Sequence, residues 1–183
     1  MVRVYNCTGN SDYLTSAGLA LLPYTKPVSN GGVLSHVFGQ LAFPWYEEYP
    51  TEPGYHVLNG FMYSLIGLYD FSQVSLSQDL TSKAEQLWRA GLQTLSVILP
   101  LFDSGSGSFY DLSHVLPPLY HPVLASQDWI SQVGPNRARW SYHALHIQQL
   151  RLLGKLDPVH TSEWVNTANR WSGYMTGLRS PHN

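Results

Sequence analysis

Charge is what this sequence has least of. Asp, Glu, Lys and Arg make up 12% of its 183 residues, about half the ~25% usual for a soluble domain. That rules out a disordered charged tail and a solvated coiled coil. The formal net charge of −2 and pI near 6.4 provide no global field for nucleic acid, so an anionic ligand must be held by a local patch. Cys7 is the single cysteine, which excludes an intrachain disulfide and a cysteine-based zinc site. No apolar run reaches the ~18–20 residues of a membrane span. The opening stretch "MVRVYNCTGNSDY" lacks the apolar segment and cleavage site of a signal peptide, so it is read as carrying no targeting signal. Asn6–Thr8 fits a glycosylation acceptor, which matters only on the secretory route. A phosphate-cradling GxxxxGK[ST], a GxGxxG after a strand and an HExxH zinc motif are all missing.

What is abundant is apolar and aromatic: 44% hydrophobic and 13% Phe, Trp or Tyr, enough for one domain with a sizeable core. The periodicity is helical. Leu14, Gly18, Leu21 and Leu22 line a helix over 11–22, with Ser11 as N-cap. Residues 24–44 read as a loop with at most one short strand in the apolar run Val33–Phe38. Leu58, Phe61, Met62, Leu65, Ile66 and Tyr69 stripe a helix over 58–70. Its Gly60, Ser64 and Gly67 form a small-residue strip that another helix can approach. A third helix is expected over 82–99, begun by a Ser82/Glu85 capping box. Residues 103–114 read as a glycine-serine turn or tight hairpin, and 115–136 as a long proline-punctuated loop. The helix over 138–153 is apolar nearly all round and should end at Gly154. Asp157–Pro158 should open a last helix reaching Leu178. Helices joined by long loops suggest antiparallel pairs around a shared centre.

With the familiar nucleophile and metal motifs set aside, tyrosine and carboxylate carry the chemistry. The serines of "DSGSG" lack the strand–elbow–helix setting of a hydrolase nucleophile. His143 and His146 stand three apart and can face one metal, but hydrogen-bonded histidines are the commoner reading. Glu47, Glu48 and Tyr49 precede the 58–70 helix, and Tyr110 and Asp111 end the glycine-serine turn. Tyr142, His146 and Gln149 share one face of the fourth helix. Buried polar groups need partners, so that face should border a pocket or a hydrogen-bond network.

"WYEEYPTEPGYHVLNGFMYSLIGLYD", "GSGSFYDLSH" and "PNRARWSYHALHIQQL" closely resemble, in order, blocks of the C-terminal catalytic domain of the D-glucuronyl C5-epimerases of heparan sulfate and heparin synthesis. Weaker similarity runs from "NSDYLTSA" to the terminal "RSPHN". The resemblance implies an all-α fold, an incomplete (α/α) toroid of antiparallel helix pairs with short hairpins at the cleft. It also implies a single domain over 1–183. The membrane anchor and β-rich domain that precede this region in the family are expected to be absent from this chain. Its catalytic group falls on Glu48, Tyr49, Tyr110 and Tyr142. Ser113, His114, Asn136, Arg137, Arg139, His143 and His146 are expected to bind substrate.

The implied reaction converts D-glucuronate to L-iduronate within heparosan-type, N-sulfated chains by removing and returning the C5 proton. Glu48 and Tyr142 would exchange that proton on opposite faces, while Tyr49 and Tyr110 bond the sugar carboxylate. Neither a metal nor a redox cofactor is called for. The family further implies a Golgi setting, a homodimer, membrane attachment only through the anchor, and no nucleic-acid partner. The chain departs from the family pattern at Ser113, where an arginine is expected, at Ser141, where an aspartate is expected, and in a longer segment over 115–134. Serine cannot pair a carboxylate as arginine does. Two other readings stay open: a non-catalytic polysaccharide-binding or assembly module, and a uronate lyase-like β-elimination.

Overall fold

The computed structural model describes residues 1–37, 40–74, 77–115 and 134–181. Pro117, Pro118 and Pro122 of the expected proline-punctuated loop lie outside the described residues, as does Phe38. Among the described residues there are six α-helices: α1 (Val2–Thr8), α2 (Asp12–Leu21), α3 (Leu58–Ser72), α4 (Gln78–Ile98), α5 (Trp140–Leu156) and α6 (Thr161–Tyr174). A two-stranded antiparallel sheet, β1 (Leu34–His36) with β2 (Pro44–Tyr46), aligns Leu34 with Tyr46 and His36 with Pro44. The described chain is therefore mostly helical, as the periodicity predicts.

Helices α3 and α4 pack together, α5 and α6 pack together, and α3 also packs on α5. The core between these pairs holds Trp45, Phe61, Phe102, Leu58, Met62, Leu65, Leu95, Ile98, Leu112, Trp164 and Trp171, all fully buried. Trp45 stacks on Phe61 with centroids 3.8 Å apart. The Tyr46 hydroxyl donates to the Leu87 carbonyl at 2.6 Å. Together these contacts pin the sheet against both helices of the first pair.

Several boundaries differ from the sequence expectation, each for a local reason. Helix α4 begins at Gln78, so Ser82 and Glu85 lie inside it and form no capping box. Glu85 instead pairs with Arg89 one turn on, at 2.7 Å. Ser11 makes no side-chain cap; Asn10 Oδ1 accepts the Asp12 N–H at 2.9 Å in its place. Helix α5 continues through Gly154, where a Cβ would stand 3.1 Å from Val165 Cγ2. That glycine permits close approach of α6 and does not end the helix. Its outer face, including Ser141, Gln148 and Arg151, is exposed, so the helix is not buried all round.

Helix α6 starts at Thr161 and ends at Tyr174, not Leu178. Asp157 lies ahead of it and collects the Val159 N–H, His160 Nδ1 and the Trp164 indole at 3.1, 2.7 and 2.9 Å. Helix α1 and strand β2 were not expected from the pattern. The small-residue strip on α3 does not seat one closely packed helix, although α1 packs on α3 nearby. Gly60 faces Glu48, Ser64 accepts the Tyr24 hydroxyl at 3.2 Å, and a Cβ at Gly67 would meet open space. It is Gly91 of α4 that lets the helices close, since a Cβ there would lie 2.4 Å from Leu65 Cδ2.

Candidate functional site

Adjacent glutamates after β2 take opposite roles because successive side chains of an extended segment point to opposite sides. Glu47 turns inward and is buried. Its Oε1 accepts the Ser35 hydroxyl at 2.7 Å and stands 2.5 Å from His56 Nδ1. Its Oε2 accepts the His56 backbone N–H at 3.1 Å. A Cβ at Gly54 would lie 2.1 Å from that carboxylate, so only glycine lets the 47–56 loop fold over it. This buried buckle carries Tyr49 and Tyr55 on the outside, with ring centroids 6.5 Å apart. Glu48 turns outward and is exposed. It lies against the first turn of α3, where Asn59 Nδ2 donates to its Oε2 at 3.3 Å.

Tyr110 is held by its backbone on two sides. Its carbonyl accepts the Leu58 N–H at the start of α3 at 3.0 Å, and its N–H donates to the Asn136 carbonyl at 2.7 Å. The unsatisfied N-terminus of α3, which has no side-chain cap, is thus completed by the loop that carries the tyrosine. Asp111, buried beside it, organises this corner. Its Oδ1 accepts the Ser113 N–H and hydroxyl at 3.0 and 2.6 Å, and its Oδ2 accepts Asn136 Nδ2 at 2.6 Å. Phe109 bridges to Arg137, which brings the 134–139 segment and then α5 alongside. Tyr142, in the first turn of α5, meets Tyr110 edge to face with centroids 4.9 Å apart.

The result is one wall on which Tyr49, Tyr110, Tyr142 and Glu48 gather from three separate parts of the chain. A shallow hollow of about 290 Å³ lies here, lined by Tyr49, Tyr55, Val57, Tyr110 and Asp111. Burial, a hydrogen bond with Tyr49, and the nearby Glu48, Tyr49 and Tyr142 all push the Tyr110 phenol above its ordinary range. Tyr110 therefore keeps its proton at neutral pH, and its phenol can donate a hydrogen bond. A second hollow of similar size, between α1, α2 and α3, is lined mainly by apolar groups such as Ala17, Leu21 and Phe71. It holds none of these four residues.

The remaining expected binding residues divide by what they touch. Ser113 and Asn136 spend their side chains on Asp111. The His114 ring packs on Phe109 at 4.8 Å and burial lowers its pKa despite the nearby Asp111. Arg137 and Arg139 are exposed beside the site. His143 and His146 stand behind the cleft wall, both rings fully buried. Both Nδ1 atoms converge on Ser108 Oγ at 2.8 Å, so they converge on a hydroxyl and not on an open metal position. Among the described residues no group of three or more His, Cys, Asp or Glu is placed to hold a metal ion. Asp111 as an organiser, Asn59 and the buried Ser108 were not singled out by motif. Asp111 stood out only as a carboxylate beside Tyr110, Ser108 only as part of the glycine-serine turn, and Asn59 only as a polar residue inside an apolar helix stripe.

A family model described as D-glucuronyl C5-epimerase C-terminus matches residues 1–173. The chain belongs to that family. A curated relative, the D-glucuronyl C5-epimerase of Caenorhabditis elegans, is 40% identical over 191 aligned positions, covering 100% of this chain and 28% of the nematode protein. An uncharacterised protein of Methanocaldococcus jannaschii is 33% identical over 108 residues, 58% of this chain and 34% of that protein. The chain thus spans about a third or less of the length of these relatives. Within the epimerase family region, the Glu48–Tyr49, Tyr110 and Tyr142 blocks all fall inside the matched residues. No helix among the described residues is long and apolar enough to cross a membrane.

Proposed function

We propose that this chain supplies the proton-transfer wall for C5 epimerisation of a glucuronate residue to iduronate within heparosan-type, N-sulfated polysaccharide. The observation that carries the reading is the meeting of Glu48, Tyr49 and Tyr142 around the raised-pKa phenol of Tyr110 in a member of the epimerase family. The C5 proton lies next to a carboxylate and is very weakly acidic, so its removal needs a placed base and a donor to the developing enediolate. In this reading Glu48 and Tyr142 serve the two faces of C5. One takes the proton, the electron pair moves into the carboxylate, and the other returns a proton to the opposite face. The neutral Tyr110 phenol, with Tyr49 beside it, hydrogen-bonds the carboxylate as charge builds. Composition and oxidation state are unchanged overall, so no redox cofactor enters. The paired helices α3/α4 and α5/α6 fit part of an (α/α) toroid, and the family fits a Golgi enzyme that works as a homodimer.

A specific observation favours a second reading, a polysaccharide-binding module without turnover. Ser113 donates to Asp111 where an arginine would offer a bidentate cation to the uronate. Incubation with N-sulfated heparosan in D₂O separates the two. Deuterium should appear at C5 and fall by about 10²-fold or more in Tyr142→Phe and Glu48→Gln, but not in Lys83→Ala on the exposed side of α4. Full exchange by Tyr142→Phe would overturn its role. Binding without exchange would favour the module, and an absorbing unsaturated uronate would mean β-elimination instead.

A further inference from the structure

Glu48 is an exposed side chain on a loop, yet a proton-transfer group must be held within a fraction of an ångström of its working position. From its contacts we infer that Asn59 and Gly60 of α3 are the seat of the Glu48 carboxylate, acting as positioning residues, and that Gln149 locks this seat to the helix bearing Tyr142. The inference rests on the catalytic role given to Glu48 above.

Three observations meet at this point. Asn59 is 6% exposed and directs its amide Nδ2 to Glu48 Oε2 at 3.3 Å. The reversed amide would set two oxygens against each other, so the amide has only one sensible orientation. Its Oδ1 has no hydrogen-bond partner among the described residues. Asn59 thus meets Glu48 with its only satisfied polar side-chain atom. Next to it, a Cβ at Gly60 would stand 2.4 Å from Glu48 Oε2 and 2.6 Å from Glu48 Cβ. The carboxylate lies flat on bare helix backbone, and the second clash involves an atom that cannot swing away without moving the loop. Finally, Gln149, 3% exposed, donates through Nε2 to the Asn59 carbonyl at 2.9 Å. Gln149 lies two turns after Tyr142 on α5. One hydrogen bond therefore ties the backbone beneath Glu48 to the helix of Tyr142, which fixes the spacing of the two groups proposed to face C5.

The test is kinetic and is paired with stability. Gly60→Ala replaces a helical glycine with a better helix former, so it should still fold. Its C5 exchange should show kcat lowered about tenfold to hundredfold, with KM within about twofold. Asn59→Asp keeps the shape and removes the donor, and should behave alike, whereas Asn59→Ala with an unchanged kcat would argue against the seat. Wild-type kcat in both Gly60→Ala and Asn59→Asp overturns the inference. Glu48→Gln in the same series separates the two levels. Its full exchange would sink the role of Glu48 itself, whereas its loss beside unimpaired Asn59→Asp and Gly60→Ala would sink only the seat. A readout free of activity is the Asn59 side-chain NH₂ signal in a ¹⁵N-correlated NMR spectrum of the full chain. It should move in Glu48→Gln and stay in Glu85→Gln; no movement in Glu48→Gln refutes the contact.

Discussion

His146 makes the fold sensitive to mild acid, because its buried surroundings leave no acceptor among the described residues for a second ring proton. His143 Nε2 lies 2.9 Å from the Trp171 carbonyl, so it must carry the proton. A neutral His143 then offers a bare Nδ1, to which the Ser108 hydroxyl donates. Ser108 Oγ in turn accepts from His146 Nδ1–H, leaving His146 Nε2 buried without a partner among the described residues. A proton added there would be a cation with no acceptor, next to another imidazole. Burial first, and His143 second, lower the His146 pKa to about 3. The folded value lies below the unfolded value of about 6.5, so the stabilisation is complete above that value and is lost as pH falls toward 3. From pH 7 to pH 5 the unfolded chain gains the proton while the folded chain does not, a loss of about 2 kcal/mol from this residue alone. Carboxylates titrate mostly below this window. Urea unfolding at pH 7, 6 and 5 measures the slope. His146→Asn, whose amide can still donate to Ser108, should flatten it by most of that amount, with the lowered His36 and His114 accounting for the remainder. An unchanged slope in the variant would refute the tautomer argument. So would a wild-type His146 ring that titrates above pH 5 by NMR.

Two further outcomes follow from local geometry. Burial alone would raise the Asp103 pKa, but the Gly105 N–H and the Trp171, Arg170 and Tyr174 donors outweigh it and hold it low. Asp103 therefore stabilises the fold above the ordinary carboxylate range, and that stabilisation is lost as pH falls through its lowered value. Asp103→Asn should cost about 1–3 kcal/mol at pH 7 by urea unfolding and clearly less near pH 3; an equal gap at both would contradict this. Glycine-to-alanine changes on the first helix pair should have opposite signs. Gly67→Ala enters open space and gains up to about 1 kcal/mol of helix propensity. Gly91→Ala drives a methyl into Leu65 and Tyr46 and should lose about 1–2 kcal/mol net, overpacking exceeding propensity. Thermal midpoints that move the same way would show that the α3–α4 contact is looser than it stands here.

The α3 stripe of Leu58, Phe61, Met62, Leu65 and Ile66 was legible because a single face buried against one core leaves a 3.6-residue period in the chain. Strand β2 was not, since "PWY" is three residues long, too short for alternation to register, and its aromatic side chains suit helix, strand or loop. The capping box at Ser82 was a false start because the turn that precedes it, Gln78–Thr81, is already helical, opening on exposed polar residues and tucking Leu80 partly against the core. For the site, the clustering of Glu47, Glu48 and Tyr49 was visible, but the division of labour between the two glutamates was not. Which carboxylate is buried depends on Gly54 and His56 closing over one face of the loop, a contact between segments that no periodicity records.

By itself the sequence determined the helical class, the low-charge aromatic core and the family, because these depend on residue type and spacing along one chain. Only the tertiary structure decided that Glu47 is a buried buckle and that Glu48 is exposed against the first turn of α3. It alone put His143 and His146 behind the wall and let Asn59 reach the carboxylate. The reason is that desolvation and hydrogen-bond pairing are set by neighbours distant in sequence. Tyr49, Tyr110 and Tyr142 acquire a shared environment only when α3 and α5 pack and the Tyr110 loop closes the end of α3.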